Sequence, residues 1–378
     1  MQEHGTQYLN YVNAHQAEIM SDLTKLVLAE SPTYQKEKVL ACGEIVKEIF
    51  RERLGVEPVQ EYPQEIFGNH LYYEIGQGEK GLLLIGHYDT VWETDAPQWR
   101  QEGNELHGPG VFDMKAGIII GVWALKAGFE LGILPQQTIG FFLNTDEEMG
   151  SKTSRWEIQR IAKEYKAAIV LEPGGAHGEV TTARKGCTDY LVNFYGRSAH
   201  CGANHADGRN AIREMAHQIE YLESLTDYEL GTTFNVGTCE GGSRPCMVPA
   251  FASFHVNCRY TTPEEAQRCY DIVHGLKPKF PDIRIEAVGE VGHLPMTEGG
   301  INAALYRAVQ EAGAELDMTI GRQYSGGTSN ANDVAGIGVP VIDGMGAAGR
   351  GAHAQDECIY LDQFLPRIAL LMNTIRRL

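Results

Sequence analysis

The sequence predicts an α/β protein: a mixed, largely parallel sheet covered by helices, interrupted by an inserted α+β domain of ferredoxin-like order. Three observations carry this. Up to about Thr182, apolar strand-like runs alternate with helical segments, the pattern of a parallel sheet with crossover helices. Beyond Thr182 the order becomes β-α-β-β-α-β, which suits a four-stranded antiparallel sheet with two helices on one face. After Pro295 the first pattern resumes, so the smaller domain is set into the larger one.

Gln7 to Leu54 has helical periodicity in two pieces, separated by the turn and cap cluster SPTYQKE. HLYYEI, GLLLIGHYDTV, QTIGFFLNTDE and AAIVLEP read as strands, with Lys115 to Phe129 and Ser154 to Lys166 as the intervening helices. In the insert, CTDYLVNFYGRSA, TTFNVGTCEGG, PAFASFHVNCRYT and IRIEAVGEVG read as strands, and Asn210 to Leu225 and Pro263 to Leu276 as helices. Ile301 to Ala312, VPVIDGMG and Leu361 to Arg377 complete the first domain as helix, strand and closing helix. The expected boundaries are 1–182 with 296–378 for the larger domain and 183–295 for the insert.

A chain of 378 residues with 43% hydrophobic and 22% charged content can bury a large core in two domains. Its net charge of −18 and lack of any basic run argue against a nucleic-acid partner. No apolar stretch approaches the roughly 20 residues of a membrane span, and the first residues lack a signal-peptide pattern. The expectation is a cytoplasmic protein with no membrane partner. Eight cysteines are scattered singly with no CxxC pair, which reads as reduced, structural thiols.

The chemistry concentrates in five short segments. Glu147 and Glu148 stand side by side in FLNTDEEMGS; His87 and Asp89 lie in LLLIGHYDTV, Asp113 in GPGVFDMKAG, Glu172 in IVLEPGG and His353 in GAHAQDE. Each is expected in or at the end of a strand-like run, where α/β proteins collect ligands. Residues two apart in a strand share a face, so His87 can ligate a metal while Asp89 accepts a hydrogen bond from the other ring nitrogen or otherwise steadies it. Tyr88, between them, should point elsewhere. The glycines before Asp113 permit an unusual backbone, from which its carboxylate can bridge two ions. Adjacent Glu147 and Glu148 can take separate jobs, one ligating and the other holding an attacking water. Asp113, Glu148, Glu172 and Glu147 together carry four negative charges, which two Zn²⁺ ions balance. The set reads as a two-zinc hydrolase site.

These segments, with RKG, GRSAHCG and GGTSNAND, run in an order that resembles the M20 family of metallopeptidases, and most closely its glutamate carboxypeptidase branch. The resemblance implies a catalytic domain carrying a lid and dimerisation insert. It implies that Asp113 bridges the two zincs, that His87 and Glu172 complete one site, and that Glu148 and His353 complete the other. It makes Glu147 the general base and implies a cis peptide after Asp113. His200 resembles the histidine that, in dimeric members, reaches the partner subunit's site to stabilise an oxyanion. Arg259 resembles the arginine that holds a substrate carboxylate, and Gly326, Gly327 and Thr328 resemble a substrate loop. Two positions depart from the pattern: Met114 stands where a second Asp is frequent, and Cys246 precedes MVP where Asn is usual.

The function implied is hydrolysis of an amide bond next to a free carboxylate. It would release a C-terminal amino acid such as glutamate from a peptide or N-acyl conjugate, in a homodimer holding two Zn²⁺, with Co²⁺ or Mn²⁺ as substitutes. An N-acyl-amino-acid deacylase of the same family is the alternative. A noncatalytic binding protein on this fold would have lost Glu147 or a ligand, and all are present. His70, His107, His177 and His205 read as hydrogen-bonding or surface residues.

Overall fold

The computed structural model describes residues 2–378. They form two compact units: residues up to Ala183 with Glu298–Ser325 and Ser329–Leu378, and Arg184–Thr297 with Gly326–Thr328.

The first unit opens with three helices where two were expected: α1 (Gln2–Ala14), α2 (Gln16–Leu28) and α3 (Lys36–Leu54). The break falls at His15, whose backbone leaves the helical region (φ −103°, ψ 11°). Its ring Nδ1 lies 2.9 Å from the Tyr11 carbonyl. Then come β1 (Gln60–Tyr62), β2 (His70–Gly76), β3 (Lys80–His87), α4 (Ala116–Glu130), β4 (Thr138–Asn144), α5 (Arg155–Ala162) and β5 (Ala167–Val170). The sheet order is β1-β2-β4-β3-β5, extended beyond β5 by Val341–Ile342. Pairings among β4, β3, β5 and Val341–Ile342 are parallel, while β1 and β2 run antiparallel to their neighbours. This is the expected mixed, largely parallel sheet. β4 and β5 are buried at every residue, which is why they read as unbroken apolar runs rather than alternating ones.

α5 stops four residues before Lys166, where the sequence pattern would carry it. Tyr165 turns inward so that its hydroxyl meets that of Tyr72 at 2.7 Å, and the Lys166 amide donates to the Gly81 carbonyl at 3.1 Å. α4 is the opposite case, apolar nearly all round and buried from Ala116 to Leu125. It lies so close to the end of β5 that a Cβ on Gly117 would sit 2.1 Å from the Leu171 carbonyl oxygen. Glycine is therefore required there, and this close seating brings the turn before α4 beside the chain that follows β5.

The second unit runs β6 (Gly186–Tyr195), α6 (Ala211–Glu223), β7 (Thr233–Gly241), β8 (Phe251–Tyr260), α7 (Pro263–His274) and β9 (Arg284–Val288). Its sheet order, β7-β8-β6-β9, is antiparallel throughout, the ferredoxin-like arrangement. Asn210 and Thr262 cap α6 and α7, each accepting a backbone N–H three residues on. The chain then returns to the first unit through α8 (Ala303–Ala314), α9 (Asn330–Ala335) and the long α10 (Leu361–Arg377), which packs on α1, α4 and α8. Among the described residues no helix is long and apolar enough to cross a membrane. All eight cysteines are free thiols.

Candidate metal centre and active site

His87 is the last residue of β3, and its ring is fully buried. Its Nδ1 donates to the backbone carbonyl of Asp89 at 3.0 Å and lies 3.4 Å from Asp89 Oδ1. The carboxylate is thus a secondary partner, because its Oδ2 accepts the Thr33 hydroxyl at 2.9 Å. This fixes the imidazole with Nε2 turned inward, 3.3 Å from Asp113 Oδ1 and 3.6 Å from Glu172 Oε1. Tyr88 points the other way, donating its hydroxyl to the Asn69 carbonyl.

Asp113 does not end a strand. It sits in the tight turn Val111–Lys115, entered through Gly110 at φ +68°, and its peptide bond to Met114 is cis, as the resemblance implies. The turn is held by Glu357, which the sequence reading left without a role. Its Oε1 accepts the amides of Phe112 (2.9 Å) and Asp113 (3.1 Å), and its Oε2 those of Gly110 (3.1 Å) and the Trp92 indole (2.8 Å). Burial pushes the Glu357 carboxyl up to about 7, against the pull of these donors.

Glu147 and Glu148 also lie beyond their strand, in a 3₁₀ turn, Glu147–Met149, that follows β4. Asp146 organises this turn: its carboxylate accepts the Thr153 amide (2.6 Å) and hydroxyl (2.8 Å) and the Ser154 amide (3.2 Å) and hydroxyl (2.6 Å). Glu172 follows β5, with its carbonyl taking the Gly346 amide at 2.9 Å. His353 lies in a loop, not at a strand, with φ +62°. Its Nε2 is 3.3 Å from Asp113 Oδ2 and 3.0 Å from Glu148 Oε2. Its side chain is 54% exposed, so this flank of the cluster is open to a substrate.

The six side chains therefore converge around Asp113, one carboxylate oxygen facing each histidine. Ligand atoms of His87, Asp113 and Glu148 lie within 4.8 Å of one another, as do those of His87, Glu147 and Glu172. Two ligands about 2.0–2.1 Å from one tetrahedral ion stand roughly 3.3 Å apart, close to the His–carboxylate separations seen here. The electrostatics agree. Burial, together with the charges of Glu148 and Asp113, pushes Glu147 up to about 8. Burial and Asp113 raise Glu148, and burial with Asp113 and Glu147 raises Glu172 far more. Against burial, the two histidines hold Asp113 well below the usual carboxylate range. The carboxylates of Asp113 and Glu148 drive His353 up to about 11. A donor set with this excess of clustered negative charge, two imidazoles and a shared carboxylate fits two divalent cations.

The remaining predicted residues belong to the second unit. His200 lies in a two-residue strand paired with Met247–Val248. Its Nδ1 accepts the amides of Gly202 and Ala203, both at 3.1 Å, so the ring presents Nε2–H as a donor. Arg259, near the end of β8, donates through Nε to Asn257 Oδ1 (2.9 Å) and reaches the Gly326 carbonyl at 3.5 Å. It is thereby tied to the start of the Gly326–Thr328 segment. Cys246 is exposed, and its carbonyl accepts the Cys201 amide at 3.0 Å.

The profile of the peptidase family M20/M25/M40 matches residues 83–377. Carboxypeptidase G2 of a Pseudomonas species (strain RS-16) is 29% identical over 360 residues, covering 92% of this chain and 85% of the relative. The solved structure of the aminopeptidase PepT from Bacillus cereus superposes with a TM-score of 0.76 at 20% identity, over 96% of this chain and 98% of that one. The YXEP protein of Bacillus subtilis, described as a dinuclear metal-binding peptidase, superposes with a TM-score of 0.70 at 13% identity, over 96% and 98% of the two chains.

Proposed function

From the chain's membership of the M20 peptidase family, we propose that it is a dizinc hydrolase cleaving an amide bond adjacent to a free carboxylate, with release of a C-terminal, glutamate-like amino acid. The observation that carries this reading is Asp113, whose two carboxylate oxygens face His87 and His353 respectively, with Glu147 in the same cluster. His87, Asp113 and Glu172 would hold one cation, and His353, Asp113 and Glu148 the other. When bound, the pair acidifies a water and polarises the scissile carbonyl.

The protein's own groups then have distinct tasks. Glu147, half-buried beside the proposed ligands, takes the proton from the attacking water and returns it to the leaving amine. Asp89 positions His87 through its carbonyl. His200 offers an Nε2–H to the developing oxyanion, and Arg259 pairs with the substrate carboxylate near Gly326, Gly327 and Thr328. In this reading residues 1–182 and 296–378 are the catalytic domain, and 183–295 the lid and dimerisation domain of a homodimer. The large carboxypeptidase G2 overlap supports the carboxypeptidase branch over a deacylase.

A substrate panel tests it. N-acyl-glutamates, dipeptides ending in glutamate, their C-terminal amides and N-acetylated amino acids are compared by kcat/KM. The proposal predicts turnover of the first two and little of the amides. Equal turnover of C-terminal amides would overturn the carboxylate requirement, and preference for small N-acetyl amino acids would make the enzyme a deacylase.

A further inference from the structure

A second cluster of ligating side chains lies outside the site described above, where two short strands of the first unit, Glu105–His107 and Cys358–Tyr360, pair antiparallel with Cys358 opposite His107. Glu105 and His107 are two apart and share a face. Their carboxylate oxygen and imidazole nitrogen and the Cys358 sulfur all lie within 4.8 Å of one another. His107 is 1% exposed and Cys358 0%, so neither is a surface group that happens to face an acid.

The tautomer of His107 makes the cluster informative. Its Nδ1 lies 3.1 Å from the Glu357 carbonyl, which can only accept, so Nδ1 carries the proton. The other nitrogen, Nε2, is buried with no hydrogen-bond partner. It faces Glu105 Oε2 at 3.3 Å without completing a hydrogen bond. An imidazole whose Nδ1–H is anchored on a backbone carbonyl, with Nε2 facing a carboxylate in a cluster that also holds a thiol, has the orientation of a metal-binding histidine with its outer partner in place.

We propose that Glu105, His107 and Cys358 form a third cation site, separate from the carboxylate-rich pair and suited to zinc-like ions by its nitrogen, sulfur and oxygen donors. Binding replaces the Cys358 thiol proton, which is released to solvent as the thiolate–metal bond forms. Arg350 competes for Glu105, with its guanidinium 2.8 Å from Glu105 Oε2. It is also paired with Asp356, so it keeps a partner when Glu105, the partly exposed member, turns toward the ion. Glu357 immediately precedes the second of these strands, which places the new site beside the clamp on the Asp113 turn.

Cobalt substitution of the full-length protein provides the test, since the paired site described above has no sulfur donor. Wild-type protein titrated with Co²⁺ should bind three equivalents and show a thiolate-to-cobalt charge-transfer band in the near ultraviolet. Cys358→Ser should bind two and lose the band while retaining turnover. Glu105→Gln should keep the band at saturation but weaken the third equivalent at least by the about 10–100-fold that loss of even an outer partner costs. Saturation at two equivalents without a band would overturn the proposal. So would a band that survives Cys358→Ser, which would trace it to another cysteine.

Discussion

Replacing Glu357 by Gln should loosen the turn that carries Asp113 without touching any proposed ligand. The carboxylate takes four donors, two per oxygen, and an amide has only one acceptor atom. If the Gln oxygen keeps the Phe112 and Asp113 amides, its NH₂ group confronts the Gly110 amide and the Trp92 indole, donor against donor. A hydrogen bond to a charged group contributes about 1.5–3 kcal/mol, and a buried donor left unpaired costs about 1–3 kcal/mol. Gly110 is buried and Trp92 only partly so. The loss should therefore be roughly 2–5 kcal/mol, with the larger part at Gly110. Urea unfolding of metal-loaded wild type and Glu357→Gln measures it, and equilibrium dialysis reports the cations retained. The variant should unfold at lower urea and bind its cations about 10–100-fold more weakly, because the Asp113 carboxylate, proposed to bridge them, is no longer held in place. Unfolding within 0.5 kcal/mol of wild type, with unchanged metal affinity, would refute the clamp.

Two further outcomes follow from buried groups. Arg367 is fully enclosed on α10 and donates to the carbonyls of Gly178 (2.9 Å), Gly344 (2.5 Å) and Gly346, joining the loops that flank Glu172. Arg367→Met should cost about 3–5 kcal/mol, since it strands three carbonyls, and Arg367→Lys should recover part of it; thermal unfolding that places Met at or above Lys would contradict this. His70 is buried between the Thr145 and Thr153 hydroxyls, and burial holds its pKa below 6.5. Between its folded and unfolded pKa values the unfolded chain binds the extra proton, so His70 removes stability as pH falls below about 6.5. His70→Gln should lose less unfolding free energy between about pH 7 and pH 5 than wild type, and equal slopes would exclude this contribution.

The fold was legible where periodicity and turn chemistry agree, as in the insert, where Asn210 and Thr262 mark the starts of α6 and α7. The end of α10 at Arg377 was equally plain. The split at His15 and the early end of α5 were not: His15 turns its ring back on the Tyr11 carbonyl, and Tyr165 meets Tyr72, 93 residues away. At the site, the clustering of acids and histidines at segment ends exposed all six converging residues. Their local backbones were misjudged: Asp113, Glu147, Glu148 and His353 sit on turns and loops beyond the strands. Glu357 and Asp146 lay in view within the same motifs, four residues after His353 and just before Glu147. Nothing local marks a carboxylate whose partners are turn amides, and Glu357 meets Phe112 across 245 residues of chain. His107 read as a hydrogen-bonding residue, which its Nδ1 is; only the three-dimensional pairing with Cys358 shows its second nitrogen left over.

Glu147 is proposed to move protons in a site whose cations other residues hold. Single-turnover hydrolysis of an N-acyl-glutamate by Glu147→Gln, with bound metal counted in the same sample, tests it most directly. Both cations of the paired site should be retained while the rate falls by at least about 10²–10⁴-fold, the contribution of a positioned base. Near wild-type turnover with both cations bound would contradict it.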